Sequence, residues 1–324
     1  VSAEGGTRAV VAALTANLSI AVAKFVAWGL TGASSMLAEA IHSVADSGNQ
    51  VLLLIGGRRG RQPADAEHPF GYGRVRYLYA FVVSIVLFSV GGLFALYEAY
   101  HKFEEVRTGH PNELLESQWW WVPLAVLGFA IIAESFSFRT ALKEGNAARG
   151  RQSFPAFIRN SKSPELPVIL LEDLAALIGL VLALFGVGLT LLTGNGIFDV
   201  IGTAMIGVLL VVVAAVLAWE MRSLLIGESA SAEDIEAITE AITGTPGVDR
   251  LLNLRTLQLG PDDVLVAAKI SVADATSADD VARVINAAEE RIAAAEPTVT
   301  HCYLEPDIYA ADYRPAPRPD GAEH

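Results

Sequence analysis

Ala38-Glu39-Ala40-Ile41-His42-Ser43-Val44-Ala45-Asp46-Ser47-Gly48-Asn49-Gln50 sets an imidazole and a carboxylate four residues apart in a segment otherwise apolar enough for a bilayer. On a helix that spacing stacks His42 and Asp46 on one face. Such a pair supplies two ligands to a small divalent cation such as Zn2+, and burying it in lipid without a partner is unfavourable. The stretch therefore reads as an intramembrane metal site. A second reading of the same residues is a polar patch that hydrogen-bonds neighbouring helices.

The rest of the chain supplies the membrane. Of 324 residues 52% are hydrophobic and 18% charged, and the mean hydropathy is +0.42, a balance that soluble domains of this length rarely show. The net charge of -13 argues against nucleic-acid or anionic-lipid binding, and many of the acids follow Gly227. The single cysteine, Cys302, excludes an intrachain disulfide and any Cys-rich metal cluster. The first 30 residues lack an Ala-x-Ala-like cleavage site after a short apolar core, so they read as a retained first span whose opening residues look truncated or tagged.

A hydrocarbon core of about 30 Å needs about 20 helical residues. Apolar runs of that length occur near residues 9–30, 34–56, 77–100, 119–142, 167–192 and 197–221, which predicts six spans. Basic residues cluster after span two, as Arg58, Arg59, Arg61, Arg74 and Arg76, and after span four, as Lys143, Arg149, Arg151, Arg159 and Lys162. The positive-inside rule puts those loops, and with them both termini, in the cytoplasm, and Trp119, Trp120 and Trp121 at the opposite interface agree. The cell (inner) membrane is the expected location. Span five follows Pro164 and Pro167 and carries two adjacent acids, Glu172 and Asp173, which lipid contact does not explain. Gly179, Gly186, Gly188, Gly202 and Gly207 permit close helix packing.

After Gly227 the pattern changes. Ser231 with Asp234 caps a helix, Gly244-Thr245-Pro246-Gly247 breaks it, and alternating runs at 248–259 and 264–272 flank the turn Gly260-Pro261-Asp262-Asp263. A helix at 277–295 and a strand at 299–304 complete an α-β-β-α-β order, a two-layer α/β domain. The expected domains are 1–227 in the membrane, 228–312 soluble, and 313–324 as a disordered tail.

Several motifs, in this order, resemble the cation diffusion facilitator family. They are Lys24-Phe25-Val26-Ala27-Trp28 with Thr31-Gly32, the His-x-x-x-Asp of His42 and Asp46, the loop Asp65-Ala66-Glu67-His68-Pro69-Phe70-Gly71-Tyr72-Gly73-Arg74, and Asp173 six residues before Gly179. Gly48-Asn49-Gln50 together with Leu171-Glu172-Asp173 looks most like a subgroup that includes a mitochondrial zinc transporter of animals. The resemblance implies a six-helix all-α transmembrane domain, a cytoplasmic ferredoxin-like domain, a homodimer, and proton-coupled export of divalent metal, usually Zn2+, with no cofactor. It implies a tetrahedral site with two ligands from span two and two from span five.

Here the span-two pair is His42 and Asp46, and Asp173 matches in span five, but the position four before it is Ile169, which cannot ligate. Glu172, Asn49 or a water are the candidates to complete the shell. Glu172 lies about 100° around the helix from Asp173, so both face one ion only with distortion or rotation. In the loop, Asp65 and His68 match two positions of a second metal site known in part of the family, where the third is Tyr72; the alternative is a glycine-rich turn that pins the loop. In the soluble domain the family's His positions are Leu252, Lys269 and Tyr303, leaving Glu305, while Cys302 beside His301 reads as packing. Lys24 reads as a snorkelling side chain in preference to a partner for Glu39. Glu134 either pairs with Arg139 or relays protons, and Asp199 caps a helix.

The expected function is secondary transport of Zn2+ by proton antiport, with Mn2+, Fe2+ or Co2+ as alternative cargoes. A membrane metallohydrolase would need an open coordination site and a general base, and no His-Glu-x-x-His motif is present. A non-transporting metal-sensing scaffold is the other competitor.

Overall fold

The computed structural model describes residues 3–110, 112–273 and 277–309. The tail expected at 313–324 lies outside the described residues. The chain forms two compact units, one of residues up to Arg59 with Val75–Arg222, the other of Gly60–Arg74 with the residues from Ser223.

The first unit is helical. Its long elements are α1 (Ala3–Thr31), α2 (Ser34–Arg59), α3 (Val75–Arg107), α4 (Val122–Arg149), α5 (Glu165–Thr193) and α6 (Ile197–Ile226). Four of them, α3 to α6, are long and apolar enough to cross a membrane. α2 is long but carries Glu39, His42, Ser43, Ser47 and Asn49, all buried, and it packs against α1, α3 and α5. Protein surrounds its polar face, burying these groups among the neighbouring helices.

Local chemistry fixes the helix ends. Gly32 takes a left-handed φ of 61° where α1 stops, and Gly194 does the same, at 70°, after α5; both positions favour a residue without Cβ. Pro123 sits in the first turn of α4, where its missing N–H costs no helical bond. Within α3 the stretch Leu87–Leu93 is π-helical. α5 and α6 approach closely at Gly186 and Gly202, where a Cβ on Gly202 would lie 3.3 Å from the Gly186 Cα.

Asp199, in the first turn of α6, caps a helix as expected, but the helix is α2. Its carboxylate accepts from the Ser34 N–H at 2.8 Å, from the Ser34 hydroxyl at 2.9 Å, and from the Ser35 hydroxyl. These donors at the start of α2 would otherwise be orphaned away from water.

The second unit contains α7 (Ala232–Thr243), β1 (Val248–Gly260), β2 (Asp263–Val272), α8 (Ala278–Ala295) and β3 (Val299–Pro306). Ser231 and Asp234 form the expected capping box, and the Ser277 hydroxyl accepts from the Asp280 N–H at the start of α8. The sheet order is β1-β2-β3, with β1 antiparallel and β3 parallel to the central β2, the parallel pair joined through α8. α7 and α8 pack against each other and on the sheet, burying Ile238, Ile242, Val266, Ile270, Ala288 and Ile292.

Candidate metal centre

α2 lines up three polar side chains at intervals of four and three residues. His42 is 1% exposed, and its Nδ1 lies 3.4 Å from Asp46 Oδ1. Neither ring nitrogen of His42 has a hydrogen-bond partner, and neither has Asp46 Oδ1. One turn further, the buried Asn49 donates through Nδ2 to Glu172 Oε1 of α5 at 2.7 Å, leaving its own Oδ1 without a partner. Unpaired polar atoms at this depth are costly, so their concentration on one face of one helix is a functional signal.

The adjacent acid of α5 points elsewhere. Asp173 Oδ2 accepts from the Ser137 hydroxyl of α4 at 3.0 Å. Ile169, one turn before it, packs with Phe138, Phe154 and Leu166 around Ala141, Phe157 and Leu170. Residues four apart share a helix face, so Ile169 and Asp173 both look at α4 while Glu172 looks at α2. Among the described residues, no three His, Cys, Asp or Glu side chains converge as a ready metal cage. Glu134 of α4 is half-buried and within electrostatic reach of Asp46, Asp173 and Glu39. Ser137 was not singled out from the sequence; its only signal is a small hydroxyl one turn after Glu134.

Lys24 does not snorkel. It is 1% exposed, and its ammonium contacts Glu39 at 3.0 Å and the Ser43 hydroxyl at 2.7 Å. A neighbouring carboxylate on α2 holds it in the helix bundle, which the single-helix view of its long stem does not anticipate.

In the second unit the Gly60–Arg74 loop is closed by its own bonds. Asp65 Oδ1 accepts from the Glu67 and His68 N–H groups at 2.9 and 2.7 Å, and Asp65 Oδ2 accepts from the Tyr72 hydroxyl at 2.6 Å. The Tyr72 hydroxyl, then the backbone donors, hold the Asp65 carboxyl below its usual range. His68 lies 3.5 Å from Asp65 and its ring rests on Tyr72, centroids 4.3 Å apart. Asp65 and His68 are thus neighbours, with Tyr72 as a hydrogen-bond donor to the acid. Further along, Lys269 contacts Glu305 at 3.0 Å and Asp307 at 3.1 Å. Cys302 packs against the core, and burial pushes its thiol up to about 11.

Comparison with known proteins gives these features a family. Residues 10–226 match the cation efflux transmembrane domain, and residues 230–308 match the cytoplasmic domain of cation efflux proteins. The chain belongs to the cation efflux family. Members are transporters, not enzymes. The chain is 31% identical over 269 residues to the proton-coupled zinc antiporter SLC30A9, mitochondrial, of Homo sapiens, covering 82% of this chain and 46% of that protein. It is 29% identical over 266 residues to metal tolerance protein C4 of Arabidopsis thaliana, covering 81% of this chain and 56% of the relative. To the cation-efflux pump FieF of Pectobacterium atrosepticum it is 29% identical over 255 residues, covering 79% of this chain and 77% of that one. The chain thus spans about half the length of the first two relatives. The resemblance read from His42, Asp46, the Asp65–Arg74 loop and Asp173 leads to the same family.

Proposed function

We propose that this chain exports Zn2+ across a membrane in exchange for protons, with His42 and Asp46 as the fixed half of the transport site. One observation carries the reading: a buried imidazole with both nitrogens unpartnered stands one turn from an unpartnered carboxylate oxygen, inside a helical membrane unit. Metal and proton compete for those lone pairs, because neutral imidazole and ionised carboxylate bind a cation and their protonated forms do not. That competition is the chemical basis of antiport. The human relative named as a proton-coupled zinc antiporter supports the cargo and the coupling.

Glu172 and Asn49 complete the shell in the arrangement described: Asn49 stands one turn past Asp46 on α2 and holds Glu172 of α5 by its hydrogen bond. Asp173 joins the site when α5 turns about its axis by the 100° or so that separates adjacent residues. Glu134, on α4, is the proton relay. In this reading all six long helices span the bilayer in the cell (inner) membrane, and the basic loops, with both termini, face the cytoplasm. The second unit is ferredoxin-like and holds a homodimer together, as the matched cytoplasmic domain supports.

A second cargo class is favoured by one observation: Ile169 packs among apolar side chains, so the site has one imidazole and is otherwise oxygen-rich. Such a shell selects zinc less sharply against Mn2+, Fe2+ or Co2+. Flux of a panel of divalent ions into proteoliposomes, with and without a pH gradient, tests both readings. Zinc flux that rises with an opposing proton gradient is expected; metal binding without flux of any ion would sink the transport reading.

A further inference from the structure

The proposed ligand set leaves one buried charged pair of the first unit without a task. The side chains of Lys24 on α1 and Glu39 on α2 are 2% and 0% exposed. The Lys24 ammonium donates to Glu39 Oε2 at 3.0 Å and to Ser43 Oγ at 2.7 Å, and reaches the Glu39 carbonyl oxygen at 3.5 Å. Glu39 Oε1 has no hydrogen-bond partner. It lies over the bare α-carbon of Gly179 on α5, where a Cβ would come within 2.6 Å of it. Half of a buried carboxylate is therefore matched by a lysine and the other half is an open acceptor, kept free by a glycine. An unsatisfied buried oxygen of this kind calls for an explanation beyond packing.

Its place on α2 supplies one. Glu39, His42, Asp46 and Asn49 recur at intervals of three or four on one helix face. Asn49 and Glu172 close that row on one side. On the other side Glu39 stands about 4.5 Å of helix rise from His42, toward the Ser34 end of α2. A cation moving from His42 toward that end meets Glu39 next.

We propose that Glu39 is a transit ligand for the departing cation, and that Lys24 is a tethered cation that occupies Glu39 whenever no metal does. The exchange is of ligands only: the metal's bond to His42 breaks, a bond to Glu39 Oε1 forms, and nothing is oxidised or reduced. The ammonium keeps its proton, gives up Glu39 Oε2, and stays on Ser43 Oγ and the Glu39 carbonyl, which it already contacts. In a medium of low dielectric the retained positive charge repels the metal it has just admitted. Lys24 thereby keeps Glu39 from becoming a trap. This inference rests on the transport reading for the direction of cargo, but the competition between ammonium and metal for Glu39 can be read separately.

The test uses the full chain, with Zn2+ as the probe. Equilibrium affinity is measured in detergent by competition with a zinc-binding dye, and initial flux in proteoliposomes. Lys24→Met is expected to bind zinc about tenfold more tightly and to transport it more slowly. The double variant Lys24→Met/Glu39→Gln has two uncharged near-isosteres, which a buried ion pair usually tolerates. It should keep wild-type affinity at His42 and Asp46 and lose about tenfold in flux. A purely structural pair predicts wild-type flux in the double variant, and that result overturns the proposal. So does unchanged or weakened zinc affinity in Lys24→Met. If Lys24→Met fails to fold by size-exclusion chromatography, the double variant decides alone, because it leaves no charge uncompensated. A wild type that binds zinc but moves no ion sinks the transport reading, while the affinity arm still reads the exchange at Glu39.

Discussion

Two lysine–glutamate pairs with the same separation occur in the two units. Lys24–Glu39 in the helical unit and Lys269–Glu305 in the sheet unit are both 3.0 Å apart, but Glu39 is 0% and Glu305 64% exposed. In the helical unit water cannot replace a lost partner, so each charge is committed to the other or to whatever displaces it. In the sheet unit water is at hand, and the pair can part and re-form with little consequence. Identical geometry thus marks a working element in one place and surface dressing in the other. The core of the second unit is aliphatic, with Ile238, Val266 and Ile270, and among its described residues no charged side chain is fully buried; the first encloses Lys24, Glu39, His42, Asn49, Glu172 and Asp199.

That contrast can be broken or sharpened by substitution. The largest effect is expected from His42→Ala and Asp46→Ala, each of which should abolish zinc flux into proteoliposomes while the protein stays monodisperse. Wild-type flux in either would remove α2 from the site. Lys24→Met should lower stability by about 3–5 kcal/mol, because it strands a buried carboxylate. Chemical unfolding checks this, and a loss no larger than that of Lys269→Met would erase the distinction between the pairs.

Asp199→Ala strips the acceptor from three donors of Ser34 and Ser35, and should cost about 1–3 kcal/mol by the same measurement. Between the adjacent acids of α5, Glu172→Gln should weaken zinc affinity by about 10-fold or more, since Glu172 is the one that faces α2. Asp173→Asn should lose flux with a smaller change in affinity, and the reverse order would mean that the face toward α4 holds the metal.

The smallest effect belongs to Lys269→Met. Lys269 holds the Asp307 carboxyl below its ordinary value of 3.8, while Glu305 and Asp307 hold the Lys269 ammonium above its ordinary 10.5. The depressed acid stabilises above 3.8 and loses that contribution as pH falls through its folded value; the raised base stabilises below 10.5 and loses its contribution as pH rises through its folded value. Unfolding midpoints of variant and wild type should therefore keep a constant, small offset between those values and converge outside them.

The apolar runs near 167–192 and 197–221 fall within α5 and α6, and the alternating runs at 248–259 and 264–272 become β1 and β2. These elements are legible because period and length report burial directly. Helix ends are less so: the run at 77–100 belongs to a helix extending over Val75–Arg107, since polar residues such as Lys102 and Glu105 continue it beyond the apolar part. The π-helical stretch at Leu87–Leu93 has no periodic signature in so short a window. At the site, the row His42, Asp46 and Asn49 follows from helical spacing alone. Which of Glu172 and Asp173 meets it does not, because the rotation of α5 follows from Ile169 packing on the cluster of Ala141, Phe157 and Leu170, a matter of tertiary contact. The partner of Lys24 is hidden from the sequence for the same reason: Glu39 lies 15 residues away on another helix.

Asp199 anchors α2 at Ser34, the end nearest Glu39, so any swing of the helix about that end grows with distance from it. Glu39 lies about 7.5 Å along the helix from that end and Asn49 about 22 Å. A swing of about 5° shifts Glu39 by about 0.7 Å and Asn49 by about 2 Å, at a rise of about 1.5 Å per residue. The first displacement leaves the 3.0 Å contact with Lys24 within ion-pair range; the second breaks the 2.7 Å bond to Glu172. A swing about the Ser34 anchor would therefore open the contact far from it before the contact near it.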